Sequence, residues 1–399
     1  MPLRLSTAGE SHGPKLVAIL EGIPAGLALD REAVAREMAR RQHGYGRGGR
    51  MKIENDEAIF VGGVRGGLTL GSPIGIEIAN RDFESWSAAL DPWDVDLDRA
   101  REKALTRPRP GHADLSGGQK YGHSDLRNVL ERASARESAA RVAAGAVCRS
   151  LLSACGIEIR SGVLSIAEVD CSAERSFAAL EKVDDRSPLR ALDTSAETSM
   201  IRRIDQAKAA GETVGGSILV GARNVPAGLG SHVSWHRKLD GRIAQALLSV
   251  PAVKALEFGT AIEASRGTGS SAHDEILPGG RRRTNRAGGL EGGITNGEDL
   301  IVVAYMKPIS TLAKGLASID LESGEPARSA YERSDVTAVP ACGVICEAML
   351  AFVLADALLE VTGGDRMEDV LARLRSHRSR VARFTRGRRA AGSTGSDAR

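Results

Sequence analysis

The sequence predicts an α+β fold in which helices and sheets are layered within one large domain, and three observations lead there. Short β-branched segments bounded by Gly or Pro recur at 15–20, 58–61, 74–78, 216–220 and 300–304, each fitting a strand. Helical periodicity appears at 31–41, at 135–154, at 241–248 and at 341–360. The two kinds of segment mix without a repeating β-α-β rhythm, which argues for α+β layers over a doubly wound parallel sheet.

Each helix carries local signals. The first follows Asp30 as N-cap and places Val34 and Met38 on one face. The second stops near Gly156, a common end for a helix. The fourth is apolar nearly all round, the pattern of a helix buried on every side. No linker or low-complexity break interrupts residues 1–363. Residues 364–399 read as a short amphipathic helix (Met367, Val370, Leu371, Leu374) followed by an Arg-rich, disordered tail.

Composition narrows the function. Gly supplies 46 of 399 residues and aromatics only 3%, which suits tight turns and close backbone approach to a ligand better than a base-stacking surface. A net charge of +3 is too small to argue for nucleic-acid or membrane binding by the whole chain. The five cysteines, the lack of a secretory pattern at the N-terminus and the absence of an uninterrupted apolar run of ~18 residues lead to the expectation of a reduced, cytoplasmic protein. Cys342 and Cys346, in apolar sequence without histidine, read as packing residues.

Two motifs mislead. Gly44-Tyr45-Gly46-Arg47-Gly48-Gly49 spells a dinucleotide fingerprint, yet it follows a helix and precedes the strand-like 51–53, the reverse of what that fold needs. Gly9-Glu10-Ser11-His12-Gly13 spells a nucleophile elbow, but a strand, not a helix, follows it. A Ser11 hydrolase is therefore a weak rival, as is a nucleic-acid module driven by the basic tail. His232 and His236 lack a third ligand nearby and read as surface residues with no metal.

The residues with chemical promise are arginines on glycine-rich loops. Arg40, Arg41, Arg47 and Arg50 flank the loop at 44–49, Arg107 and Arg109 precede Pro110-Gly111-His112-Ala113-Asp114, and Arg132 and Arg136 bracket a helix start. Guanidinium forks grip phosphate and carboxylate in pairs, so several of them beside glycine backbone point to a multiply anionic small ligand. Ser134 and Glu137 have the spacing of a capping box, and the helix start behind them is a seat for an anion. His12 and His112, each in a Gly-flanked turn, are the acid–base candidates. Arg333-Ser334-Asp335 adds a charged cluster before the last long helix.

These residues carry a family resemblance. The chain resembles chorismate synthases in Gly9-Glu-Ser-His12-Gly13, Arg47-Gly-Gly-Arg50, Arg109-Pro-Gly-His112-Ala-Asp114 and Glu131-Arg-Ala-Ser-Ala-Arg-Glu137. Arg141-Val-Ala-Ala-Gly, Val225-Pro-Ala-Gly-Leu-Gly230, Ala287-Gly-Gly-Leu-Glu-Gly-Gly293, Lys307-Pro308 and Arg333-Ser-Asp335 continue it in order. The resemblance implies a single large domain of antiparallel sheets and helices in a β-α-β sandwich. It implies the 1,4-elimination of phosphate from 5-enolpyruvylshikimate 3-phosphate to chorismate, a step of aromatic amino-acid biosynthesis that needs reduced FMN without net redox change.

By the same resemblance His12 protonates the reduced flavin, His112 assists the departing phosphate, and Asp335 helps relay the C6 proton. Ser11, Arg41, Arg47, Arg50, Arg109, Ser134, Arg136 and Arg333 hold the substrate. Arg132, Ala133, Ser134, Pro251, Ala252, Gly292, Lys307, Pro308, Ile309, Ser310, Thr311 and Arg333 hold FMN. Arg41 and Arg47 also match positions assigned to a nicotinamide cofactor in the family, but no dinucleotide fold is evident. That favours an external flavin reductase over reduction in cis by NADPH. A homotetramer is implied, with no membrane and no specific nucleic acid as partners. Ala133 stands where Ser is common and Pro251 where Asn is common; the second change removes an N–H donor and puts that flavin contact in question.

Overall fold

The computed structural model describes residues 2–48, 56–332 and 335–385. Within them two antiparallel sheets enclose a layer of helices. The first sheet contains β1 (Arg4–Ala8), β2 (Lys15–Glu21), β3 (Ile59–Gly62) and β4 (Ile74–Ala79), in the order β1-β2-β4-β3. The second contains β5 (Glu158–Ile166), β6 (Val169–Asp170), β7 (Gly216–Arg223), β8 (Val253–Phe258) and β9 (Leu300–Met306), in the order β8-β9-β7-β5-β6. Every pairing is antiparallel, so the α+β expectation holds and a doubly wound sheet is excluded.

Burial explains which strands the sequence announces. In β2, Leu16, Ala18 and Leu20 are buried while Lys15 and Ile19 are exposed, the period-2 pattern of a sheet covered on one face. Ile74, Ile76 and Ile78 repeat it in β4. The second sheet is covered twice. Its β7 is buried from Ser217 to Ala222, with the helical layer on one face and Phe177 and Leu180 closing over Gly221 on the other. A strand buried on both faces loses its alternation and reads as a continuous apolar run.

Between the sheets lie α1 (Arg31–Gln42), α3 (Ser138–Ala154), α4 (Leu239–Leu248) and α5 (Val339–Thr362), while α2 (Arg127–Ala133) precedes α3 and, through its Leu130, clusters instead with Leu105. Asp30 caps α1 through the N–H of Glu32 at 2.9 Å. Helix α3 packs on β2 and β4, and α5 packs on β5 and β7, so the two helices bridge the sheets and pack on each other. Their contact is close because Gly145 sits against Ala348: a Cβ there would lie 2.4 Å from the Ala348 Cβ. Helix α5 is long and apolar enough to cross a membrane, yet 89% of its most apolar window is buried inside the fold. Its two inward acids are matched. Glu347 meets Arg40, Arg149, Arg190 and Ser161, and Asp356 accepts from Arg242 at 2.6 Å and from the Leu3 N–H at 2.7 Å.

Three sequence expectations need correction. Arg40 turns away from the 44–49 loop and grips Glu347 bidentately at 2.8 Å, because neighbouring helical residues point about 100° apart. Ser134 does cap, accepting from the Arg136 N–H at 3.3 Å, but a 3-10 turn (Ala135–Glu137) precedes α3. Glu137 pairs with Arg141 at 2.6 Å instead of completing a capping box. The short amphipathic helix expected within 364–399 extends further: α6 (Met367–Thr385) takes in the first arginines of the expected tail. His377 meets the Ala227 carbonyl at 2.7 Å and Arg378 donates to the Cys155 carbonyl at 3.0 Å, which fastens the helix to the body. Residues 386–399 lie outside the described residues.

Gly145→Ala is expected to cost about 1–3 kcal/mol in urea unfolding, because the added methyl meets backbone and cannot be accommodated by a side-chain rotation. Gly241→Ala, with nothing within 4 Å of the new methyl, is the control and is expected to be neutral or to stabilise by up to about 1 kcal/mol.

Candidate active site

A cavity of about 840 Å³ opens where loops from the first sheet meet the ends of α1, α2, α3 and α5. The turn between β1 and β2 forms one wall. Gly9 has φ +107°, and a Cβ there would come within 2.3 Å of the Lys15 carbonyl, so only glycine makes this return. Asn80 pins the turn by donating to the carbonyls of Glu10 at 3.0 Å and Gly13 at 2.7 Å, and the Ser11 N–H donates to the Glu131 carbonyl at 2.9 Å. Ser11 and His12 line the cavity from this turn. The turn joins two antiparallel strands, so no nucleophile elbow exists here.

The arginines arrive from different elements and are locked from behind. Arg41, Arg109 and Arg136 are each more than nine-tenths buried. Arg41 and Arg136 share the carboxylate of Asp56, Arg41 at 2.5 Å. Arg136 also donates to Asn80 Oδ1 at 2.9 Å. Burial drives the Arg41 pKa below its ordinary value, with Asp56 opposing and the nearby Arg136 and Arg47 reinforcing. Burial pulls the Asp56 pKa upward, but Arg41 and Arg136 outweigh it and hold it low. Arg47 pairs with Asp335 at 3.0 Å, and Asp335 also accepts the Gly48 N–H at 2.6 Å.

Arg109 and His112 converge on Asp114. Arg109 Nε lies 2.8 Å from Asp114 Oδ2 and its Nη1 donates to Thr311 at 2.9 Å, while His112 Nδ1 is 2.6 Å from Asp114 Oδ1. Burial raises the Asp114 pKa, yet the hydrogen bonds and charges of His112 and Arg109 hold it far below the usual carboxylate range. On the opposite wall His12 Nδ1 lies 2.9 Å from Glu131, and its ring stacks on Trp86 with centroids 4.3 Å apart.

The remaining expectations sort clearly. Arg132, Ala133, Ser134, Pro251, Ala252, Lys307, Ile309, Ser310 and Thr311 line the same cavity. Pro308 does not, and Gly292 sits away from it, in the turn between the short strands Leu290–Glu291 and Ile294–Thr295. Arg107 is exposed outside the wall. Arg50 and Arg333 lie outside the described residues. Among the described residues no group of His, Cys, Asp or Glu could hold a metal ion. All five cysteines are buried and free, and Cys342 contributes to the cavity wall. Sequence reasoning missed Asp56, Glu131, Trp86 and Arg141. Glu131 and Arg141 stood within the quoted motifs, whereas Asp56 and Trp86 carried no local signal.

An α+β domain whose described residues bring arginines and two carboxylate-held histidines to a common cavity has the form of an enzyme that acts on a small molecule. The profile of the family described as chorismate synthase matches residues 3–359. Relatives named chorismate synthase from Thermus thermophilus and Salinispora tropica are each 53% identical, over 96% and 91% of this chain and 100% and 95% of their own. A solved structure, "Crystal Structure of Chorismate Synthase", superposes with a TM-score of 0.77 at 43% identity, covering 96% of this chain and 99% of that one. The chain belongs to the chorismate synthase family, and it is a carbon–oxygen lyase.

The pKa values of Asp56, Asp114, Glu131 and Glu347 are all held below their usual values in the folded chain. Each therefore contributes stability that is present above its unfolded pKa, about 4, and is lost as pH falls through its lower folded value. The melting temperature is expected to stay nearly level from about pH 7 to 5 and to fall steeply below about 4. A melting temperature unchanged down to pH 3 would contradict the stabilising role of these pairs.

Proposed function

We propose that this cavity binds 5-enolpyruvylshikimate 3-phosphate beside reduced FMN and eliminates the 3-phosphate to give chorismate. The observation that carries the reading is the convergence of Arg41, Arg47, Arg109 and Arg136 with His12 and His112 on one cavity. The substrate has two carboxylates and a phosphate, and buried guanidiniums match those groups in charge and fork geometry.

The fit to FMN rests on the part of the cavity wall that Lys307, Arg132 and Pro251 supply. Among the described residues, Lys307 Nζ meets uncharged acceptors, the Gly111 carbonyl at 2.7 Å and Ser310 Oγ at 2.9 Å, and burial plus the nearby Lys254 lower its pKa. Arg132 likewise donates to the Thr7 and Gly9 carbonyls and the Thr7 hydroxyl. Two cations held by neutral groups leave net positive charge for a phosphate. The Pro251–Ala252 turn offers backbone there: Ala252 takes φ +69°, unusual for a residue with a side chain, and its carbonyl accepts the Lys307 N–H at 2.9 Å. Pro251 thus lines this wall without an N–H of its own, and the cations carry the binding. When bound, reduced FMN supplies electron density that helps phosphate leave and recovers it as the C6 proton departs.

The chain's own groups do the rest. The arginines orient the substrate and stabilise charge growing on the phosphate, the preorganised electrostatics that most lower such barriers. His112 donates a proton toward the departing phosphate, with Asp114 supporting its positive form. His12 holds a proton at the opposite wall, and Asp335, fixed by Arg47 and the Gly48 N–H, accepts the substrate proton. The flavin is reduced by an external reductase, NADPH being the alternative reductant in cis, and the enzyme works in the cytoplasm as a homotetramer.

Anaerobic incubation with the substrate and photoreduced FMN is expected to release phosphate, and no release would defeat the reading. His112→Ala is expected to lower turnover about 10²–10⁴-fold, the usual loss of a general acid, while FMN affinity stays within about twofold. Loss of flavin binding in that variant would reassign the residue.

A further inference from the structure

Glu131 stands behind His12 in a way the elimination chemistry does not itself require. Its Oε1 lies 2.9 Å and its Oε2 3.1 Å from His12 Nδ1, and Oε2 also accepts the His12 backbone N–H at 2.7 Å. Its own carbonyl accepts the Ser11 N–H. One residue on α2 therefore holds both the backbone and the ring of the β1–β2 turn. The carboxylate is 2% exposed, so its hydrogen bonds are made in a low-dielectric setting. The opposite constraint comes from Trp86, stacked on the ring at an interplanar angle of 29°.

We propose that Glu131 is the positioning residue for His12: it holds the Nδ1 proton, so that Nε2 is the nitrogen through which the ring gains and gives up the proton of its proposed role. The assignment rests on the His12 role proposed above. A carboxylate accepts hydrogen bonds and donates none, so the nitrogen facing it must carry the proton. A half-turn of the ring would put Cδ2 in place of Nδ1 and lose the carboxylate contact, while Trp86 confines the ring plane. The same arrangement recurs across the cavity, where Asp114 meets Nδ1 of His112 at 2.6 Å. Asp114 also holds Arg109 at 2.8 Å, so its substitution would move a second cavity group, whereas the other side chain at Glu131 is Arg127, at a looser 3.4 Å.

The charges described next to Glu131 and Trp86 reach the ring at one remove. Arg127 lies 3.4 Å from Glu131 Oε1 and 5.0 Å from the centre of Trp86, and is itself paired with Glu332 at 2.7 Å. Lys103 lies 4.6 Å from the centre of Trp86, and Asp82 and Arg132 line the same wall. The His12 and Arg127 contacts, through hydrogen bonding and charge, keep Glu131 ionised against the effect of burial.

The test reads the tautomer directly in flavin-free protein. With histidine labelled at ¹³Cδ2, and the His12 signal assigned by its loss in His12→Asn, the wild-type neutral ring is expected as the Nδ1–H form. Glu131→Gln, which keeps the shape and removes the charge, is expected to move it toward the Nε2–H form. Turnover should fall about a hundred-fold with KM within about twofold, the pattern of a group presented in the wrong protonation state. A wild-type Nε2–H ring, or an unchanged tautomer in Glu131→Gln, would overturn the proposal. The wild-type measurement decides alone if the variant does not fold. A shifted tautomer with unchanged turnover would uphold the positioning and remove His12 from the proposed chemistry.

Discussion

Arginines gathered around one poorly solvated cavity repel each other, and the buried carboxylate of Asp56 is what lets two of them stay. It holds Arg41 with one oxygen and Arg136 with the other, joining α1 to the start of α3 across the cavity floor. Removing one partner from such a cluster leaves an uncompensated buried charge, a far larger cost than the pair's own net worth. The shape of the anion site is thus held by charge pairing before any ligand arrives. Asp114 does the same for Arg109, and Asp335 for Arg47.

This arrangement has a chemical consequence. A ligand entering the cavity meets guanidiniums already held by buried carboxylates, so little reorganisation accompanies binding or charge development. The two histidines follow the same logic, each tethered at Nδ1 by a carboxylate on a different element. Helices α3 and α5 make the frame rigid by packing closely at Gly145, and Glu347 anchors α5 to α1 and β5 through Arg40 and Ser161.

Much of this was legible in the sequence, and the limits have physical causes. The strands of the first sheet that alternate, β2 and β4, were readable because one face is wet. In β5 the buried Ser161 and Ser165 blur the pattern: each is satisfied within the fold, Ser161 by Glu347 and Ser165 by Ser217, and no local signal reveals that. Arg40 and Arg41 are adjacent and chemically identical, yet one serves the core and the other the cavity; only the helix rotation and the distant Glu347 separate them. Asp56 and Trp86 act through partners 80 and 74 residues away in Arg136 and His12, pairings that chain-local reading cannot see. The cationic loops and both histidines were legible because glycine turns and arginine spacing are local.

Helix α5 also bears on how the chain is made. It is the most apolar element, yet β5, β7 and α3, which bury it, all precede it in sequence. During synthesis the first sheet is covered early by α3, whereas β5 and β7 of the second emerge well before α5, the element that seals them. Until then the nascent chain exposes surface that invites association with other chains, the usual hazard of an incomplete fold. Once α5 emerges, only α6 and the tail remain to be made, so its own exposed lifetime is short. Release of the chain before residue 339 would leave the first sheet covered by α3 and the helical face of the second sheet without its plug.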